Sequence, residues 1–150
     1  MKNMVVLFFI LFLGYTHLAQ AQSDLQNDHI AIFKNVSGDI KILRDSRKIV
    51  PVAGTQIMKS DTVLSGPLSS AGIVFKDGTQ LTVGASTEIK INEYLFHPEE
   101  AQYAFSIYMS KGSAIYSSGK IGKIAPESVS INTPRATVGV RGTRFIVKVD

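Results

Sequence analysis

Apolar residues alternate with polar ones in short runs along most of this chain, and turn-forming residues separate the runs. Side chains of one parity share a face of a strand, so the pattern predicts β structure. Ile40 and Ile42 alternate with Asp39, Lys41 and Leu43; Pro51 and Gly54 punctuate the next stretch; Val63 leads into the turn signal Ser65-Gly66-Pro67. The clearest hairpin is GIVFKDGTQLTVG, Gly72 to Gly84. Ile73 and Phe75 share a face on one arm, and Leu81 and Val83 on the other. Asp77-Gly78 predicts a two-residue type I′ turn, because glycine accepts positive φ freely and aspartate tolerates it.

Thr87 to Tyr94 predicts a strand with Ile89 and Ile91 on one face and Glu88, Lys90 and Asn92 on the other. His97-Pro98-Glu99-Glu100 reads as a loop. Tyr103, Phe105, Ile107 and Met109 form another alternating face, Lys111-Gly112 predicts a turn, and Ser113 to Tyr116 a short strand. Ser117 to Ser128 is rich in loop residues. No run predicts a long amphipathic helix. The fold class is therefore all-β: a compact single domain of short strands, as a sandwich, barrel or short solenoid-like stack.

The last twenty residues, INTPRATVGVRGTRFIVKVD, change parity twice. Val129 and Ile131 are apolar at odd positions, Ala136, Val138 and Val140 at even ones, and Phe145, Val147 and Val149 at odd ones again. A one-residue slip turns a buried face to water, so the backbone must correct itself at Thr133-Pro134 and at Arg141-Gly142-Thr143. Proline lacks a donor and suits a break in a ladder. Gly142 is expected at the positive φ of a bulge, with Arg141 at the kink, re-aimed to tie loop carbonyls or a carboxylate. These residues read first as shaping a corner and second as a partner contact. Ile146 is apolar too, which predicts partial cover on both faces of the last strand.

The amino terminus sets the compartment. Lys2 precedes the apolar run Val5 to Leu13, and Ala19-Gln20-Ala21 offers small residues where a signal peptidase reads. Residues 1–21 are thus a secretory signal peptide cut after Ala21, since the run is well short of the ~20 residues that cross a bilayer. Residues 22–35 make a polar lead-in and first strand, and 36–149 the β domain. The expected location is periplasmic or secreted, with no transmembrane segment after cleavage. Beyond residue 21 the charge is mildly positive and scattered singly, which does not suit a nucleic-acid surface. The chain has no cysteine, so it offers no disulfide, thiol nucleophile or thiolate metal site.

The closing stretch TPRATVGVRGTRFIV resembles the signature that ends the FecR domain: Thr-Pro, a small residue, an apolar pair and Arg-Gly-Thr-x-Phe, here ending at Phe145. SGDIKILR is similar to the opening strand of that family. SDTVLSGPLSSAGIVFKDGTQLTVGASTEIKINEY resembles its central series, with Ser60 where the pattern usually has glycine. The likeness covers about Val36 to Val149. It implies a non-enzymatic, extracytoplasmic β domain. The best-known relatives regulate iron uptake, sensing an outer-membrane transporter outside and acting on a sigma factor inside. With a cleavable leader in place of a cytoplasmic tail and anchor, the expectation here is a stand-alone exported FecR-type domain.

Candidate chemistry is sparse. His29 and His97 lack the close spacing of a metal motif. There is no Gly-x-Ser-x-Gly elbow and no phosphate-binding glycine loop. Glu99-Glu100 reads as a solvated pair rather than an acid–base couple. Tyr94, Phe96, Tyr103, Phe105, Tyr108 and Tyr116 are candidates for a sugar platform, yet Tyr103 and Phe105 share parity with Ile107 and Met109, which marks a core face. No catalytic, cofactor or metal residue is assigned. The residues singled out are Asp77, Gly78, Thr133, Pro134, Arg141, Gly142, Thr143 and Phe145. The expected role is a binding or signalling module that docks an envelope protein through loops or an edge strand. The alternative is a structural or carbohydrate-binding envelope protein.

Overall fold

The computed structural model describes residues 28–150. The leader over residues 1–21 lies outside the described residues, as does the start of the 22–35 lead-in. The described residues form twelve strands, in order β1 (Ala31–Ser37), β2 (Ile40–Arg44), β3 (Arg47–Ile49), β4 (Gln56–Ile57), β5 (Thr62–Ser65), β6 (Ser70–Phe75), β7 (Gln80–Val83), β8 (Glu88–His97), β9 (Gln102–Ser117), β10 (Val129–Asn132), β11 (Thr137–Gly139) and β12 (Arg144–Val149). The five-residue helix α1 (Lys120–Ile124) interrupts them. The all-β reading of the sequence holds, and β1 runs through the 35/36 boundary.

One strand organises the sheet. β9 is sixteen residues long and serves two wings. Its first half pairs with β8 and, in parallel, with β10; its second half pairs antiparallel with β7 and β12. Beyond β8 come β5, β2 and β3; beyond β7 come β6, β1 and β4. The result is a curled, largely antiparallel sheet forming a half-barrel. Phe33, Ile42, Ile57, Leu81, Ile89 and Met109, from both wings, fill the concave side.

Apart from the half-buried Tyr103, the alternating faces of the strands up to Met109 that are chosen from sequence are the buried ones. Ile40 and Ile42, Ile73 and Phe75, Leu81 and Val83, Ile89 and Ile91, and Phe105, Ile107 and Met109 are all within 2% of full burial. A bulge between Ile91 and Glu93 then shifts the parity of β8 and turns Tyr94 into the core. Asn92 and Glu93 look alike to a pattern of apolar and polar residues, so the alternation gave no warning of it.

Lys111-Gly112 does not end a strand. β9 passes through it, bent, with Gly112 at φ +92° beside a register shift against β8. A Cβ there would sit 2.2 Å from Thr87 Oγ1 and 2.4 Å from Thr87 Cα. The bend is where the two wings part. Thr87 Oγ1 accepts from Ser113 N at 2.9 Å, and Ser65 Oγ accepts from Thr87 N at 2.9 Å, which satisfies backbone groups that a continuous ladder would otherwise serve.

The tail turns two corners by a different device from the one expected. β10 and β11 form an antiparallel hairpin, with Asn132 opposite Thr137. Thr133-Pro134 is its corner: Thr133 N donates to Ala136 O at 2.8 Å, and Thr133 Oγ1 accepts from Ala136 N at 3.0 Å. The chain then leaves one wing, crosses through Arg141-Gly142-Thr143 and joins the other as β12. Val129, Ile131, Val140 and Val147 are buried, so the parity changes are real, although Ala136 is exposed. The second change is a crossover between wings, not a bulge within one strand. Gly142 accordingly has no positive φ, and a Cβ on it would meet nothing within 4 Å. Ile146 is 71% exposed, so the outer face of β12 is uncovered by the described residues.

Candidate functional site

The Asp-Gly hairpin is a three-residue loop rather than the two-residue type I′ turn. Gly78 N donates to Phe75 O at 2.9 Å and Phe75 N to Thr79 O at 2.9 Å, and of Asp77 and Gly78 only Gly78 has positive φ, +85°. That geometry, a turn followed by a left-handed glycine, is the next commonest hairpin closure. It has a consequence that the shorter turn would not. The Asp77 side chain points inward and is 2% exposed.

Four donors meet the Asp77 carboxylate. Thr79 N and Tyr94 Oη donate to Oδ1 at 3.2 Å each; Thr79 Oγ1 and Ile121 N donate to Oδ2 at 2.7 and 3.1 Å. The Asp77 backbone joins in, its N donating to Tyr94 Oη at 2.8 Å and its O accepting from Lys120 N at 2.8 Å. Burial, then the charge of Asp77, push the Tyr94 phenol well above the usual tyrosine range. A buried carboxylate surrounded by neutral donors is costly unless each lone pair is used, and here they are.

The same short segment reaches the second signature. Four consecutive backbone donors divide between the two: Ser118 N to Thr143 O at 2.8 Å, Gly119 N to Thr79 Oγ1 at 3.1 Å, Lys120 N to Asp77 O, and Ile121 N to Asp77 Oδ2. Ser118 Oγ adds a bond to Gly142 O at 2.8 Å. The Asp-Gly-Thr hairpin and the Arg-Gly-Thr crossover are thus stitched together by Ser118–Ile121. Gly119 is required by contact, since a Cβ on it would lie 2.1 Å from Thr79 N and 2.6 Å from Gly78 C. The first turn of α1 has its amides satisfied by Asp77 instead of by a local capping residue.

Aromatic rings continue the link through the core. Phe75 stacks on Tyr94 at 5.4 Å and meets Phe105 edge-on at 4.9 Å; Phe105 meets Tyr116 at 5.6 Å, and Tyr116 packs on the half-buried Phe145 at 5.1 Å. Burial raises the pKa of the Tyr116 phenol, whose oxygen lies near Ser118 and Thr79 without a hydrogen bond of ordinary geometry. Tyr94, Phe105 and Tyr116 are therefore core, and do not form a sugar platform.

A second buried acid behaves in the same way. Asp61 is 1% exposed and takes a bidentate pair from Arg44, Nε to Oδ1 at 2.9 Å and Nη2 to Oδ2 at 2.7 Å, plus Met58 N at 2.8 Å. The pairing raises the pKa of Arg44. Arg44 also reaches Gln56 O at 3.0 Å, so it ties β2 to β4 and, through Asp61, to the loop that carries Ser60. Ser60 itself sits at φ +72°, at the position where the signature usually has glycine.

Of the residues singled out from sequence, Asp77, Gly78, Gly142 and Thr143 meet across Ser118–Ile121. Phe145 joins through Tyr116. Thr133 and Pro134 form a separate corner. Arg141 is exposed and has no hydrogen-bond or ionic partner among the described residues, so its expected tie to carbonyls or a carboxylate is not made. Sequence reading missed Thr79, Tyr94, Gly119, Arg44 and Asp61. Thr79 could have been found as the third residue of Asp-Gly-Thr. The rest act across long sequence separations that no local pattern displays.

Taken together, these features define a class: an all-β domain whose two buried acids serve as internal ties and whose signature residues close the fold. A family model described as FecR protein matches residues 61–150, and the chain belongs to the FecR family, which is associated with envelope signalling. No curated protein and no solved structure matches the chain. No helix among the described residues is long and apolar enough to cross a membrane.

Proposed function

We propose that this chain is an exported, non-enzymatic FecR-type module that docks a protein partner in the cell envelope and takes part in signalling there. The observation that carries this reading is the allocation of polar chemistry. Both buried acids, Asp61 and Asp77, are spent on holding loops together, whereas the signature's Arg141 and the last strand's Arg144, Ile146 and Lys148 are exposed. A buried carboxylate whose lone pairs are taken by internal donors holds loops together and presents nothing to a ligand. Exposed apolar and cationic groups on a rigid β frame suit recognition.

Residues 1–21 supply the export signal, and the docked partner is an envelope protein. The test is affinity capture from an envelope extract with residues 22–150 as bait, run beside retention on immobilised glycans. A defined protein recovered in stoichiometric amount, with no glycan retention, is the expected result. Retention on glycans without a protein partner would overturn the reading.

A further inference from the structure

Among the described residues, the outermost strand of one wing has no strand partner on its outward edge. β12 has β9 as its strand partner among the described residues. Its register and the bond from Ser118 N to Thr143 O fix which groups that pairing uses. Opposed residues in an antiparallel ladder alternate between bonded and non-bonded pairs. Thr143 and Ser118 form a bonded pair, so Phe145, Val147 and Val149 also bond to β9. The N–H and C=O groups of Arg144, Ile146 and Lys148 therefore face outward.

The side chains of those same three residues stand on the exposed face, with Ile146 at 71% exposure beside Ile115 and Thr82. Positive charge is denser in this tail, and of its basic residues Arg144 and Lys148 lie on this face, Lys148 beside Asp150 at 3.6 Å. Residues 22–130 carry eleven basic and eleven acidic side chains; Ile131–Asp150 carries four basic and one acidic. Lysine and arginine on an edge discourage accidental strand pairing, which is a sufficient reason for Arg144 and Lys148. It is no reason for Ile146 between them, which weakens such a defence.

A second copy of the chain is disfavoured in the register centred on Ile146. Antiparallel pairing of β12 with itself about Ile146 would set Arg144 opposite Lys148 twice, and like charges directly opposed are destabilising.

We infer that the β12 edge is a strand-addition site for an extended segment of an envelope protein that presents acidic, apolar and acidic side chains at alternate positions. This deepens the docking reading above and rests on it. Backbone groups of Arg144, Ile146 and Lys148 supply the ladder, the two cations read the acids, and Ile146 with Ile115 covers the apolar residue. Surface charge pairs also make such binding weaken with added salt.

The probe is a capped nine-residue peptide with Glu, Val and Glu at alternate positions and threonine elsewhere; its control has Lys for both Glu. Both are titrated into isotopically labelled residues 22–150 at low salt. The Glu peptide is expected to shift and slow the exchange of the Arg144, Ile146 and Lys148 amides, and to bind at least about fivefold more tightly than the Lys peptide. Ile146→Pro removes the outward N–H while leaving the β9 bonds in place, as edge strands tolerate, and should abolish binding with the fold intact. The paired change Arg144→Glu with Lys148→Glu should reverse the peptide preference. Equal binding of both peptides, shifts confined to other strands, or self-association through β12 would overturn the proposal. If Ile146→Pro still captures the partner recovered from envelope extract, this edge is refuted while the docking reading stands.

Discussion

Replacing Asp77 with asparagine changes one atom and should cost a large part of the stability. The carboxylate takes four donors, from Thr79 N, Thr79 Oγ1, Tyr94 Oη and Ile121 N. An amide keeps one acceptor oxygen, and in either orientation its NH2 faces two of those donors. Each buried donor left without an acceptor costs about 1–3 kcal/mol, and bonds to a charged group sit at the upper end. Removing a buried charge returns part of that, so the net loss is about 2–4 kcal/mol. Against a typical stability of about 5–15 kcal/mol, the variant still folds but is clearly weakened. With a urea slope of about 1–3 kcal/mol/M, the midpoint should fall by about 0.7–4 M. Circular dichroism and tyrosine emission both report the transition; the chain has no tryptophan to complicate the latter. Amide exchange should also quicken selectively at Gly119–Ile121. A loss below about 1 kcal/mol, or unchanged exchange at those amides, would refute the role assigned to this carboxylate.

Ser60→Gly should stabilise by about 0.5–1 kcal/mol, because Ser60 holds a left-handed conformation at φ +72° that costs a side-chain-bearing residue more than glycine; a lowered melting temperature would contradict this. Gly119→Ala should destabilise severely or prevent folding, as its Cβ would meet backbone 2.1 Å away, whereas Gly142→Ala should stay within about 0.5 kcal/mol of the parent. Comparable losses for the two would show that the crossover is a bulge after all. The raised pKa values of Tyr94 and Tyr116 predict alkaline weakening. Above pH about 10 the unfolded chain releases phenolic protons that the folded chain retains, so stability is full below that pH and falls as pH climbs through the folded values. Absorbance at 295 nm should show these two phenols ionising only as the fold is lost, and early, reversible ionisation of all tyrosines would contradict it.

The fold class and the core were largely legible because alternation maps directly onto burial in a half-buried sheet. The parity changes in the tail also survived, since they follow from which residues are apolar. What failed was the backbone means of achieving them. The turn expected at Lys111-Gly112 and the bulge expected at Gly142 each centre on a glycine, yet one glycine bends a continuous strand at positive φ and the other sits in open space without it. Sequence shows that glycine permits a conformation; only the neighbours, here Thr87 against Gly112, show whether it is required. Asp77 was legible as a turn residue and not as a buried acceptor, because its partners Tyr94 and Ile121 lie 17 and 44 residues away. The bulge beside Glu93 hid Tyr94 for the same reason: a parity shift among polar residues leaves no trace in the pattern.

Amide hydrogen exchange along Arg144–Val149 in the unliganded protein tests the central claim most directly, since it reads the edge itself. Phe145, Val147 and Val149 should be protected by β9, while Arg144, Ile146 and Lys148 exchange at near-solvent rates. Uniform protection of all six would mean that the edge is already covered, and uniform fast exchange that the last strand is not docked; either result would contradict the account.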